Sequence, residues 1–160
     1  MLETIYFYGV NNAYGFLSNF APYPIERKGK QWPTSEHYFQ AQKFPGTDRE
    51  EEIRLTDSPM LAARMGRSRK HPLRPDWEKV KEEIMKEALR SKFTQHPELK
   101  QSLLATGEAI LIEHTANDRY WGDGGDGTGL NRLGALLMEI RQELTESTKA
   151  QPKKPLFRFR

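Results

Sequence analysis

The sequence predicts a mainly α (α+β) fold, a compact single domain of five to seven helices with a few short strands. Two observations carry that expectation. Apolar residues recur at three- and four-residue steps in several separate segments, each bounded by a capping residue or a Gly or Pro stop, whereas period-two alternation is confined to short runs. Those runs do not alternate with the helices, which argues against a βαβ architecture. A length of 160 residues with 36% hydrophobic and 11% aromatic content suits one domain with a substantial core. The domain is expected over residues 1–145, with a basic, flexible tail over 146–160.

Residues 4–10 alternate Ile5 and Phe7 with Tyr6 and Tyr8 and read as a first strand. The loop from Asn11 to Phe20 is rich in rings and amides. Residues 23–32 read as a hairpin turning at Lys28-Gly29. Thr34 and Ser35 are both natural N-caps for a largely buried helix carrying Tyr38, Phe39, Ala41 and Phe44, which Pro45-Gly46 ends. Asp48 caps a charged segment through Leu55, and Asp57-Ser58-Pro59 starts a short helix that stops at Gly66. The clearest amphipathic element runs from Asp76 to Phe93, with Trp77, Val80, Ile84, Ala88 and Leu89 on one face, so Trp77 is assigned to the core. His96-Pro97 opens a helix that ends at Thr106-Gly107, and residues 109–114 form a strand. Leu133, Leu136, Leu137, Ile140 and Leu144 give a last helix from about Asn131 to Leu144.

Composition narrows the chemistry. Cysteine is absent, which excludes disulfides, thiolate nucleophiles and Cys-based zinc sites and permits a reducing compartment; a cytoplasmic location is expected. The start of the chain lacks a basic segment followed by an apolar run, and no window approaches a membrane span, so export and membrane partners are not expected. The net charge of +3 is uneven: the last fifteen residues hold five basic side chains and one acidic, leaving a body of twenty basic against twenty-one acidic. A general nucleic-acid-binding face is therefore not implied. The tail reads as a solubilising end, with phosphate contact as the alternative.

Three segments carry candidate chemistry. In Trp32-Pro33-Thr34-Ser35-Glu36-His37-Tyr38-Phe39-Gln40-Ala41-Gln42-Lys43-Phe44, Glu36 falls in the first turn of a helix. It complements the helix dipole there, or it is a carboxylate desolvated by neighbouring rings and poised for catalysis. Between the last strand and last helix, a Gly-rich loop presents Asp118, Trp121, Asp123 and Asp126. It matches G-x-G-x-x-G, but its aspartates would repel a pyrophosphate, and neither an EF-hand order nor a nonapeptide repeat is present. A flexible loop that approaches a nucleotide-like ligand, with Trp121 stacking on a base, is the better reading; a plain surface turn is the alternative. Arg64, Arg67, Arg69, Lys70, His71 and Arg74 bracket the stop at Gly66, either as a phosphate fork or as a solvated face. The histidines and serines show neither H-E-x-x-H nor G-x-S-x-G spacing, so no metal and no serine triad is signalled.

The residue blocks also resemble the YbiA-like, or NADAR, family of N-glycosidases. The resemblance runs from about Thr4 to Leu144 and rests on Gly15-Phe16-Leu17-Ser18-Asn19-Phe20, the Trp32-to-Phe44 segment, and Ala62-Ala63-Arg64-Met65-Gly66-Arg67. Further carriers are Lys92-Phe93, Glu113-His114-Thr115, Asp118 with Trp121-Gly122-Asp123-Gly124, and Asn131-Arg132-Leu133-Gly134 with Leu137-Met138. It implies a YbiA-like fold and hydrolysis of an N-glycosidic bond to ribose, without a cofactor. The implied substrates are phosphoribosylamino-pyrimidines of early riboflavin synthesis. Removal of ADP-ribose from guanine, which alone would bring a nucleic-acid partner, and non-catalytic ADP-ribose binding are the alternatives.

Cleaving a ribosyl C–N bond builds oxocarbenium character, which a carboxylate stabilises while orienting water. Glu36 is expected in that role, assisted by Asp118 or Asp123 as acid at the departing base. Trp121 would stack on the base, Lys43, Arg64 or Arg67 would hold a 5′-phosphate, and Asn19 would bond a ribose hydroxyl. Phe20 and Asp126 complete the expected substrate-binding set.

Overall fold

The computed structural model describes residues 2–150. Within them the order is β1 (Thr4–Phe7), a 3-10 turn (Gly15–Leu17), β2 (Ile25–Arg27), β3 (Lys30–Trp32), α1 (Ser35–Ala41), α2 (Asp48–Arg54) and α3 (Pro59–Arg67). Then follow α4 (Trp77–Gln95), α5 (Pro97–Ala105), β4 (Ile110–Glu113) and α6 (Arg132–Ala150). Six helices and four short strands match the mainly helical expectation.

The strands pair in two separate sheets. β2 and β3 form the expected hairpin, Ile25 opposite Trp32, and both turn residues take the positive φ of a type I′ turn: 55° at Lys28 and 71° at Gly29. β1 and β4 lie parallel, Thr4 opposite Ile110 and Phe7 opposite Glu113, so five helices intervene between adjacent strands. The first strand is shorter than its alternation suggests. Its partner ends at Glu113, and the chain then turns, Asn12 N–H donating to the Gly9 carbonyl at 3.3 Å.

α1 is the hub, with all seven residues buried against α2, α3 and α4. The Thr34 hydroxyl caps it by accepting the His37 N–H at 3.1 Å. His37 spans from Thr34 to the Thr56 carbonyl, with ring nitrogens 2.8 and 3.0 Å from their partners, which ties α1 to the end of α2. Trp32 is fully buried, its ring edge-on to Tyr38 and its indole N–H donating to the Arg27 carbonyl at 3.0 Å. Burying such a ring contributes on the order of 2 kcal/mol or more.

α6 packs on β4 and α4 through the periodic leucines. Its approach to β4 demands a glycine, since a Cβ at Gly134 would lie 2.1 Å from the Leu111 carbonyl oxygen. Asn131 clamps the same strand, its side chain donating to the Leu111 carbonyl at 2.9 Å and accepting the Glu113 N–H at 3.0 Å. The helix continues to Ala150, so residues 146–150, expected in the tail, are helical. A Gln142–Glu146 hydrogen bond one turn apart supports that extension. The rest of the expected tail, 151–160, lies outside the described residues. Among the described residues, no helix is long and apolar enough to cross a membrane.

Candidate active site

A cavity of about 520 Å³ opens between α1, α4, the 3-10 turn region and the loop after β4. That volume lies within the range of small-molecule sites. Of the ten residues the sequence singled out, seven border it: Glu36, Asp118, Asn19, Phe20, Lys43, Arg67 and Trp121. Asp123, Asp126 and Arg64 do not.

Glu36 is 8% exposed. The Gln40 amide donates to its Oε1 at 2.8 Å, one turn along α1. Burial raises its pKa above the ordinary carboxylate value; the Gln40 bond and the charges of Lys43 and Arg67 oppose that, and Asp118 adds to it. The Glu36 N–H also donates to the Asn19 carbonyl at 3.2 Å, which fixes the loop from β1 onto the helix start. The Asn19 side chain is engaged as well: its Oδ1 accepts the Ser35 hydroxyl at 2.7 Å, and its amide points to the Met85 sulfur at 3.2 Å.

Lys43 lies at the other end of the same segment. Its Nζ sits over the Phe39 and Trp77 rings, 5.9 and 5.6 Å from their centroids, and donates to the Gly66 carbonyl at 3.4 Å. Burial and the positive charge of Arg69 lower its pKa to about 8, with Glu36 pulling the other way. Arg67 and Lys81 border the cavity too, giving it a cationic wall. Arg64 is exposed, on the last turn of α3 but off the cavity.

The Gly-rich loop is folded by its own acids. Asp118 Oδ1 accepts the N–H groups of Tyr120 and Trp121 at 2.9 and 2.8 Å. Asp123 is buried and turned inward, accepting the N–H groups of Thr115 and Gly125 at 3.1 and 2.9 Å and meeting His114 Nδ1 at 2.7 Å. Burial alone would raise its carboxyl; these bonds outweigh it and hold the pKa below the ordinary value. Asp126 is exposed and accepts the N–H and hydroxyl of Thr128. The structure places Asp123, expected as an acid, and Asp126, expected as a ligand, off the cavity lining and bonded within the loop, because backbone amides within reach of a short carboxylate capture it. Trp121 borders the cavity while packing edge-on to Phe39, with centroids 5.4 Å apart.

Sequence reasoning missed Glu113, Lys81 and Tyr120 on the lining and placed Trp77 in the core alone. Trp77 is in fact both, with one side in the core and the other on the cavity. Glu113 stands in the Glu113-His114-Thr115 block that carries the family resemblance, but nothing in its own segment marks it as a site residue.

The E. coli (strain K12) N-glycosidase YbiA is 62% identical over 145 residues, covering 90% of this chain and 91% of that protein. An N-glycosidase of Nostoc punctiforme is 44% identical over 144 residues, covering 88% and 92%. The chloroplastic riboflavin biosynthesis protein PYRR of Zea mays is 41% identical over 155 residues, covering 88% of this chain and 25% of that longer protein. The NMR structure of E. coli YbiA superposes with a TM-score of 0.89 at 57% identity, covering 97% of this chain and 93% of that one. The family model of the NADAR domain matches residues 6–145, and the chain belongs to that family.

Proposed function

We infer that the protein is an N-glycosidase, and we propose that it hydrolyses the ribosyl C–N bond of phosphoribosylamino-pyrimidine intermediates of riboflavin biosynthesis, releasing ribose 5-phosphate and the pyrimidine. The observation that carries this reading is the position of Glu36. It is a buried carboxyl bordering a cavity whose other lining includes cations, acids and flat aromatic faces. The names of the N-glycosidase relatives and of the riboflavin biosynthesis proteins support it.

Each part has a physical task. As the C–N bond lengthens, positive charge grows on the ribose, and a Glu36 carboxylate fixed by Gln40 stabilises it without reorganising. Glu36 also takes the proton of the attacking water. Lys43, Arg67 and Lys81 hold the 5′-phosphate, Trp121 and Phe20 stack on the base, and Asn19 steadies the ribose side of the pocket. A cytoplasmic setting, where such intermediates arise, belongs to the same proposal.

One observation favours a second reading, removal of ADP-ribose from guanine. Tyr8, Val10 and Met60 border the cavity yet are largely exposed, an apolar rim suited to a second flat ring. Incubation of purified protein with riboflavin intermediates, NAD, ADP-ribose and ADP-ribosylated DNA, with assay of released ribose phosphate or ADP-ribose, tests both. Ribose 5-phosphate from the pyrimidine substrates is the expected product. Thermal stabilisation by ADP-ribose with no hydrolysis of any substrate would reject both in favour of a binding module.

A further inference from the structure

In the N-glycosidase reading the departing nitrogen needs a proton donor; Asp123 does not border the cavity, and Asp118, which does, has its Oδ1 held by two backbone N–H groups. Glu113 is placed to fill that gap. It ends β4 opposite Phe7 and borders the cavity. Its backbone is fixed on both sides, the N–H donating to Asn131 Oδ1 at 3.0 Å and the carbonyl accepting the Asp123 N–H at 2.9 Å. The side chain therefore leaves from a clamped strand end, not from a mobile loop.

The surroundings of Glu113 disfavour its anion. Oε2 is sealed from solvent and has no hydrogen-bond partner among the described residues, a state that costs an ionised oxygen far more than a neutral one. The charged groups that bear on it are all acidic: Asp118 and Asp123 of the loop and Glu36 of α1. Arg132, at the start of the helix packed on β4, is drawn instead to Glu82 at 2.6 Å. Burial first, and then those three acids, push the Glu113 carboxyl up to about 8. Glu36 is raised by burial as well, but Gln40, Lys43 and Arg67 favour its ionised form, and Glu113 has no such partner. Two carboxyls on one cavity, one with a hydrogen-bond donor and nearby cations and one with neither, can divide the acid and base roles.

Resting on the N-glycosidase reading, we propose that Glu113 is the general acid of the reaction, donating its proton to the nitrogen of the scissile C–N bond while Glu36 serves the sugar. The C1′–N bond breaks, its electron pair goes to nitrogen, and that nitrogen takes the Glu113 proton. Water forms the new C1′–O bond and gives its proton to Glu36. Glu113 is left ionised and Glu36 protonated, and exchange with solvent restores both.

The test uses the full chain as wild type, Glu113→Gln and Glu113→Asp, with N-ribosyl substrates whose leaving amines differ in basicity. Glu113→Gln is expected to lower kcat by about 10²–10⁴-fold with KM within about threefold, and to lose more on the more basic leaving group. The fall of kcat above about pH 8 disappears in this variant and persists, at a reduced rate, in Glu113→Asp. Carboxyl-¹³C-labelled glutamate in the wild type shows one carboxyl titrating near 8 that is missing from Glu113→Gln. Wild-type turnover by Glu113→Gln, or the lack of such a carboxyl, overturns the proposal. The two failures separate: a wild type that releases sugar from no N-ribosyl substrate removes the N-glycosidase reading and the acid role together, whereas an active wild type matched by Glu113→Gln removes the acid role alone.

Discussion

Glu36 is held by Gln40, a residue of its own helix, and not by a salt bridge: the Gln40 amide nitrogen donates to Glu36 Oε1 at 2.8 Å across one turn of α1. Lys43 and Arg67 act on it through space. A neutral donor positions the carboxylate while leaving much of its charge available to a developing cation.

Glu36→Gln should therefore remove turnover while sparing the fold. Loss of the transition-state charge interaction is expected to cut kcat by about 10²–10³-fold. Stability should move the other way. A carboxyl whose pKa is raised on folding binds more protons in the native state, so it costs stability as pH rises above its unfolded value. Thermal melts at pH 7 should show the variant at least as stable as wild type, and a variant both active and unshifted would remove Glu36 from the mechanism.

The Gln40 contact depends in turn on Gly66. A Cβ at that position would lie 1.9 Å from Gln40 Oε1, itself buried without a hydrogen-bond partner among the described residues. Gly66→Ala must displace Gln40, at a cost of about 1–3 kcal/mol and with Glu36 released from its donor. Comparison of kcat/KM with the unfolding midpoint checks this: activity should fall about tenfold or more in protein that is still folded at the assay temperature.

The local signals in the sequence were dependable where one residue dictates one geometry. Lys28-Gly29 as turn and Pro59 at a helix start stand as read, and of the two caps offered Thr34 is the one used, because capping and left-handed turns are decided within a few residues. The parallel pairing of β1 with β4 was not legible, since five helices separate the strands and no local pattern encodes such a contact. The same limit explains the site. Glu36, Lys43 and Trp121 each stand out in their own segments and border the cavity, whereas Glu113, despite its place in a block that carries the family resemblance, shows no distinctive chemistry until folding sets it near Asp118 and Glu36. Asp123 is the converse: a glycine loop presents it as available, and only the fold shows its oxygens taken by Thr115, Gly125 and His114.

Lys92 links the core to the site. It is 1% exposed, donates to the Phe16 and Ser18 carbonyls at 2.6 and 2.8 Å, and so anchors the turn that delivers Asn19 and Phe20. Burial lowers its pKa to about 7. Between that value and its unfolded value the unfolded chain binds more protons, so Lys92 makes stability rise as pH climbs above about 7. Lys92→Met should abolish this rise in a series of melts. It should also cost about 1–3 kcal/mol by taking the donor from the Phe16 carbonyl and leaving the Ser18 carbonyl with the Ala21 N–H alone, and raise KM more than it lowers kcat. An unchanged KM would show that the turn keeps its place without the lysine.

With Lys43 on the phosphate, as proposed, substrate capture should carry a separate pH dependence. Its pKa of about 8 means that the cation is present below that pH and lost above it. A charge-assisted bond to a phosphate is worth roughly 1.5–3 kcal/mol, so kcat/KM for a phosphorylated substrate should fall about tenfold or more as the free enzyme passes through that pH. Bound phosphate favours the ammonium form, which moves the same limb to higher pH in kcat. Glu113 titrates in the same region, and the two are separated by the substrate: the dephosphorylated riboside keeps the Glu113 limb and loses the Lys43 contribution. Lys43→Arg carries its charge throughout the range, so its kcat/KM ratio between phosphorylated and dephosphorylated substrates should be flat with pH. A wild-type ratio that is itself flat from about pH 7 to 9.5 would place the phosphate on Arg67 and Lys81 instead.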